Sequence, residues 1–392
     1  MSTYAIKTGT GTYQSLSSAY INSIGNTSVS WEVSNNYDLG VDFGLFNNRI
    51  NGSVAYFLKD VNKLLLAVPL PASAGIIGGN SLFDNIGDMQ SKGLEFNISA
   101  AVLNKNQFKW DVTLNYTHNT NKVVNLTPQA DKSGSGVLVG NALTKSGLAL
   151  GTYFMAESAG IEPQKGIPMI YEIDQTVYKA SGNTVKTGKI IPATTVNLLG
   201  NRMLFEGKTG LPKFYGGIQN TFSYKNFDLG IYVSFSGGNY IYNAHKNQVN
   251  NPSYGIVQVY NELLYDRWQK PGDIAGNPQL MWNSVLPYDS NGNPVATPAK
   301  YFSASESKYL EKGDYVRLKN LVFGYNLPQS ILNRLKINGA RIYFSGTNLL
   351  TFTKFTGWDP ELPLDGNIGG VNFTSSSMPQ SKAYSLGLNL KF

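Results

Sequence analysis

The sequence predicts an all-β chain, an antiparallel transmembrane β-barrel of about 10–12 strands. The first sign is the final stretch, 382–392, which reads K-A-Y-S-L-G-L-N-L-K-F. It sets Tyr384, Leu386, Leu388, Leu390 and Phe392 on one side and Ala383, Ser385, Gly387, Asn389 and Lys391 on the other. Such alternation over about 9–11 residues suits a strand with one face in hydrocarbon and the other against water or polar protein. The second sign is composition. Aromatic residues make up 12%, with 24 Tyr and 19 Phe, and charged residues only 15%, against roughly 25% in ordinary soluble domains. The third is a spacing in which tight turns alternate with long loops.

Residues 1–36 are rich in Ser, Thr, Asn and Gly and give weak strand signals. Tyr37, Leu39, Val41, Phe43 and Leu45 then alternate with polar or small residues, Asn47-Asn48 makes a turn, and Ile50, Gly52, Val54, Tyr56 and Leu58 return. Asn tolerates the positive φ that tight hairpins need. Residues 60–91, with Pro69-Leu70-Pro71 and Gly78-Gly79, read as a long irregular segment. A second hairpin joins Leu94, Phe96, Ile98, Ala100 and Val102 through Asn104-Lys-Asn106 to Phe108, Trp110, Val112, Leu114 and Tyr116. A third joins Phe214, Ile218, Phe222 and Tyr224 through Lys225-Asn226 to Phe227, Leu229, Ile231, Val233 and Phe235.

Strand 314–327 changes parity near Lys319-Asn320, which predicts a bulge. Residues 328–335 predict one or two helical turns before strand 341–350. The clear strands are 37–46, 49–59, 92–103, 107–118, 213–224, 227–236, 314–327, 341–350 and 382–392. Outer-membrane barrels have short periplasmic turns and long external loops. With the tight turns periplasmic, 237–312 becomes a long external loop and the chain ends in the periplasm. The direction count permits no strand or two more between 120 and 212, with 148–159 the best candidate. Single-chain bacterial barrels have even strand numbers, so either residues 1–34 add a strand or the barrel is incomplete here.

No stretch approaches 18 consecutive apolar residues, so no transmembrane helix is expected. With no Cys there is no disulfide framework, thiolate metal site or cysteine nucleophile. A net charge of +7 with scattered Lys and Arg speaks against nucleic-acid binding. The two His, His118 and His245, have no neighbour at metal-ligand spacing, and no nucleotide, zinc-protease or hydrolase motif occurs. Asp289-Ser-Asn-Gly-Asn293 starts like a calcium loop but lacks the Glu at the twelfth position, and reads as a turn. The carboxylates Glu157 and Glu162, or Asp359 and Glu361, are the only pairs worth weighing as acid and base, and nothing in the sequence fixes their separation. The chain is therefore expected to be no enzyme and to hold no metal or cofactor.

Aromatic residues crowd the loop 237–312, interleaved with Asn, Gln, Asp and Lys. Flat amphipathic rings beside amides stack on sugars or grip extended peptides, and equally pack a loop against its neighbours. Trp268, Trp282, Tyr254 and Tyr265 are the candidates for contact with substrate or with a lid.

Several motifs carry a family resemblance. Trp31-Glu32 precedes Gly40-Val-Asp-Phe-Gly44, and Asn85-Ile-Gly87-Asp-Met89 leads to Lys92-Gly93-Leu-Glu95. Later come 307–320, Gly324-Tyr-Asn-Leu-Pro328, Gly346-Thr-Asn348, Asp359-Pro360-Glu361 and the strand ending in Phe392. In this order they resemble the C-terminal barrel region of SusC/RagA-type TonB-dependent transporters. The resemblance implies an outer-membrane location and a 22-stranded parent barrel. It also implies import of glycans, oligosaccharides or peptides, a SusD-like lipoprotein lid, and Phe392 as a signal for barrel assembly. The family's plug and TonB-interaction segments have no counterpart in this sequence, nor is an export signal visible. That leaves a piece of a longer transporter, a truncated or split product, or a small barrel that closes alone. Energised import and a passive barrel or binding remnant are the two functional classes that follow, with outer-membrane lipid a partner in either.

Overall fold

The computed structural model describes residues 5–13, 16–23, 25–70, 81–128, 130–131, 135–250, 261–280, 285–288, 294–300, 306–361 and 379–392. Its main feature is a wall of nine antiparallel strands: β1 (Val33–Leu45), β2 (Ile50–Pro69), β3 (Ser81–Lys105), β4 (Phe108–Leu126), β5 (Phe214–Tyr224), β6 (Phe227–Gly237), β7 (Tyr315–Asn326), β8 (Gly339–Thr353) and β9 (Ala383–Lys391). Each pairs with its neighbours in sequence, so the wall is an up-and-down meander with β1 and β9 at its edges.

Cross-strand register explains why the alternation was so regular. Leu103, Trp110, Phe222, Leu229, Phe323, Phe344 and Leu386 lie opposite one another in turn, an apolar row crossing seven strands. Near the other rim a second row runs Phe96, Tyr116, Gly216, Phe235, Val316, Phe352. Trp110 and Tyr116 are six residues apart on β4, roughly 20 Å along the strand. These rows bound an apolar band with aromatic girdles, the outer surface of a membrane barrel. Its side chains stand clear of the rest of the protein, with Leu386 81% and Leu39 76% exposed. The opposite face is polar: Asn97, Asn115, Gly217, Ser234 and Arg317 form one of its rows.

The tight turns sit at one rim. Lys105–Phe108 and Tyr224–Phe227 are closing pairs, with Asn106 (φ 52°) and Lys225 (φ 54°) in the left-handed region. The first hairpin is looser than the two-residue Asn-Asn turn expected of it. Its closing pair is Leu45–Ile50, and Phe46, Asn47 and Asn48 all take positive φ. The predicted bulge is present: Tyr232 pairs with Asn320 and Val233 with Leu318, so Lys319 is the extra residue. The helix predicted after Pro328 spans Gln329–Leu335.

Two expectations are corrected. Much of 60–91 is strand, because β2 continues to Pro69 and β3 begins at Ser81, while 71–80 lie outside the described residues. Beyond the band this extension builds a small buried core of its own, with Val61, Leu64, Leu66, Ile86 and Val123 against Val137 and Leu150. Segment 148–159 does not join the wall. Its strands Thr152–Ala156 and Ser158–Ile161 belong to two small sheets above the rim, one completed by 137–139, 142–144 and 202–209, the other by 168–173 and 186–192. Between 120 and 212 the wall thus gains no strand. The strands 5–13 and 16–23 pair with each other alone.

Candidate functional site: the loop assembly above the wall

The long connections 127–213 and 238–314, with the segment after β8, gather at one rim and are tied to each other by side chains. The tie between 158–173 and 266–279 is Trp268. Its indole Nε1 donates to the Pro163 carbonyl at 2.7 Å and its backbone N–H to the Asn277 carbonyl at 3.0 Å. The ring covers Gly166, which has a φ of 65° and where a Cβ would lie 2.3 Å from the indole. Gly166→Ala combines left-handed strain with that clash, and should cost roughly 1–3 kcal/mol. Limited proteolysis should show faster cleavage within 158–173 and 266–279, with the wall strands unchanged.

Lys308 makes a second tie. Its Nζ donates to the Gly276 carbonyl (2.7 Å) and to Asn277 Oδ1 (2.8 Å), and burial pulls its pKa below the ordinary lysine value. Beneath lies a tyrosine-rich core of Tyr153, Met155, Tyr242 and Tyr309, with Tyr153 Oη donating to the Tyr240 carbonyl at 3.1 Å. Burial raises the pKa of all three phenols, and the neighbouring Glu306 charge adds to the rise at Tyr242 and Tyr309. They are uncharged packing groups.

The segment after β8 is held to the wall by charge. Arg317, on the polar face of β7 and only 2% exposed, pairs through Nη2 with Asp359 Oδ1 and through Nη1 with Glu361 Oε2 at 3.0 Å. Lys319 Nζ reaches Glu361 Oε1 at 2.5 Å. Asp359 also accepts the backbone N–H groups of Glu361 (2.9 Å) and Gln380 (3.3 Å), so one carboxylate gathers both ends of the connection between β8 and β9. Close by, Glu311 accepts Thr356 Oγ1 and Thr356 N–H, each at 2.7 Å. Asn243, fully buried, donates to Glu311 Oε1 at 3.4 Å and accepts the Lys246 N–H at 2.9 Å.

These contacts decide how the weighed carboxylate pairs are used. Asp359 and Glu361 are held by cations. Glu157 is paired with Lys186 at 2.8 Å, while Glu162 accepts the Lys165 backbone N–H. Of the aromatic candidates, Trp268 is half-buried in its tie and Tyr265 projects outward, 83% exposed, beside exposed Leu264. Tyr254 and Trp282 lie outside the described residues, as does the turn 289–293. An aromatic that sequence reasoning passed over is Trp358, 54% exposed and edge-on to His245 at 5.3 Å. Burial lowers the His245 pKa, which keeps the imidazole neutral at neutral pH. Its place directly before Asp359 was the signal that could have found Trp358. Phe392 ends the chain just beyond β9, exposed at the rim of the tight turns.

A family model described as TonB dependent receptor-like, beta-barrel matches residues 3–349. The chain is 30% identical over 394 residues to TonB-dependent receptor P3 of Formosa agariphila, an alignment covering 97% of this chain and 36% of that protein. It is 24% identical over 374 residues to TonB-dependent receptor SusC of Bacteroides thetaiotaomicron, covering 94% of this chain and 32% of that one. Among solved structures, that of the RagAB peptide transporter superposes with a TM-score of 0.74 at 23% identity, over all of this chain and 38% of that chain, which shows the shared fold. The chain thus spans about a third of the length of these curated relatives.

Proposed function

Since the chain belongs to the TonB-dependent receptor-like β-barrel family of the outer membrane, in its SusC/RagA-type branch, we propose that it forms the C-terminal barrel portion of an energised nutrient importer. It is a non-catalytic component. The wall supplies part of the pore boundary, and the loop assembly supplies part of the vestibule where a glycan, oligosaccharide or peptide is received and a SusD-like lipoprotein docks. Coupling to TonB would run through parts other than this wall. The observation that carries the reading is the asymmetry of the wall: tight turns at one rim, and at the other a set of loops with buried cores and side-chain ties. Loops that only had to connect strands need no cores of their own.

Among the described residues, exposed Tyr265 and Trp358 are the aromatic groups best placed to meet a ligand or lid, and half-buried Trp268 fixes the segment that follows Tyr265. The test uses the protein that carries this chain, in its native cell, with labelled oligosaccharides and labelled peptides offered separately. Tyr265→Ala removes an exposed ring and should leave stability within about 0.5 kcal/mol. Uptake of one substrate class is expected to fall, by tenfold or more with Trp358→Ala added, and to vanish when TonB is deleted. Uptake that persists without TonB would overturn energised import in favour of a passive barrel. Uptake of both classes that ignores both substitutions would remove these rings from the site.

A further inference from the structure

On the outer, apolar face of the wall, just below the loop rim, a groove of about 510 Å³ crosses four strands. Its floor is made by Phe214, Phe235, Val316 and Phe352. Val316 lies opposite Phe235 on one side and Phe352 on the other, and the Phe214 ring sits over Gly237, where a Cβ would meet it at 2.6 Å. The upper margin carries Lys354, two residues beyond Phe352, and Lys312, four residues before Val316, together with Asp314. Neither ammonium has an ion-pair partner within 4.0 Å among the described residues.

The backbone under these charges is fixed. Lys312 pairs with Tyr240 in a short two-stranded ladder, Thr353 Oγ1 donates to the Asp314 carbonyl at 2.7 Å, and the Gly238 N–H donates to Asp314 Oδ1 at 2.7 Å. One oxygen of the carboxylate is thereby occupied, and the two lysines outweigh it. An apolar trough whose margin beyond the aromatic girdle carries two lysines without an ion-pair partner among the described residues matches a lipid. The chain of the lipid follows the trough, and its anionic head meets the lysines.

We propose that this groove holds a phosphate-bearing lipid of the outer leaflet, its phosphate between Lys312 and Lys354 and an acyl chain along Phe235, Val316 and Phe352. Bound there, the lipid braces the foot of the loop that begins at Gly238. The proposal needs only the membrane wall, so a failure of substrate import would leave it standing.

The protein that carries this chain, purified in detergent micelles, is mixed with phosphorylated lipid A or with its dephosphorylated analogue, and retained lipid is counted by native mass spectrometry. K312Q/K354Q should lower retention of the phosphorylated lipid roughly 25-fold, from about fivefold per lysine. D314N, which removes the one like charge, should hold or raise it. K105Q/K225Q, at the opposite rim, serves as the control for general charge. Equal retention of the dephosphorylated analogue, no response to K312Q/K354Q, or an equal response to K105Q/K225Q would each overturn the site.

Discussion

Replacing Arg317 by methionine is expected to release the segment that follows β8 from the wall while the wall itself stays paired. Methionine fills the space of the aliphatic stem but strands the Asp359 carboxylate, which is 5% exposed, without its cation. A buried ion left without its partner typically costs about 3–5 kcal/mol. Glu361 loses less, because Lys319 still holds Oε1. The cost should fall on local opening, since the wall hydrogen bonds of β7 to β6 and β8 do not involve the guanidinium. Amide exchange at Glu361 and Gln380, whose N–H groups are bonded to Asp359, should accelerate roughly 150- to 5,000-fold.

The companion variant separates lost charge pairing from lost packing. Asp359→Asn keeps Oδ1 as an acceptor for the Glu361 N–H and removes the stranded charge. Arg317→Met with Asp359→Asn should therefore recover most of the exchange protection at Glu361 but not at Gln380, whose N–H is accepted by Oδ2 and would face the amide nitrogen, whereas Arg317→Lys, lacking the planar fork that serves two carboxylates, should recover only part. Protection that stays native in Arg317→Met would mean the pairing contributes nothing to holding the segment. Failure of the double variant to recover would place the effect in packing.

The nine wall strands were legible because each has one face in hydrocarbon and one in water, and period-two alternation is the direct record of that environment. Legibility stopped where the environment stopped. Tyr153, Phe154, Met155 and Ala156 are consecutive and all buried, so their strand carries no alternation to read. On β2 the register shifts between Val61 and Leu64 around Lys63, whose φ is 58°, and parity breaks just where the strand leaves the band. The remaining stretch of β2 and β3 looked like loop for that reason. Asp359 and Glu361 were visible as carboxylates. Their cations lie 42 residues away on the strand preceding β8, a distance only the fold closes. Likewise the sequence offers Trp268 and Tyr265 as equivalent loop aromatics. Gly166 and the Pro163 carbonyl, about a hundred residues upstream, make one a tie and leave the other outward.

Arginine at Ile218 should cost more than arginine at neighbouring positions of the same strand, and that difference tests which face meets lipid. Ile218 sits between Leu114 and Val233, inside the band bounded by the Trp110 and Tyr116 rows. A cationic side chain there must leave the hydrocarbon or be buried in it, at about 2–4 kcal/mol near the midplane. The adjacent residue Gln219 points to the polar face, opposite Thr113 and Tyr232, so Gln219→Arg should change stability by less than about 1 kcal/mol. Tyr224, at the tight-turn rim and half exposed, can let an arginine reach the headgroups, and Tyr224→Arg should cost about 0–1 kcal/mol. Denaturant unfolding of the protein in lipid vesicles, followed by loss of heat-modifiable gel mobility, ranks the three. A cost at Ile218 that clearly exceeds those at Tyr224 and Gln219 follows from one apolar face immersed in lipid. A larger cost at Gln219 would put the hydrocarbon on the other face of the wall. Equal costs at all three would mean that neither face is immersed, because only a membrane makes depth and side matter separately.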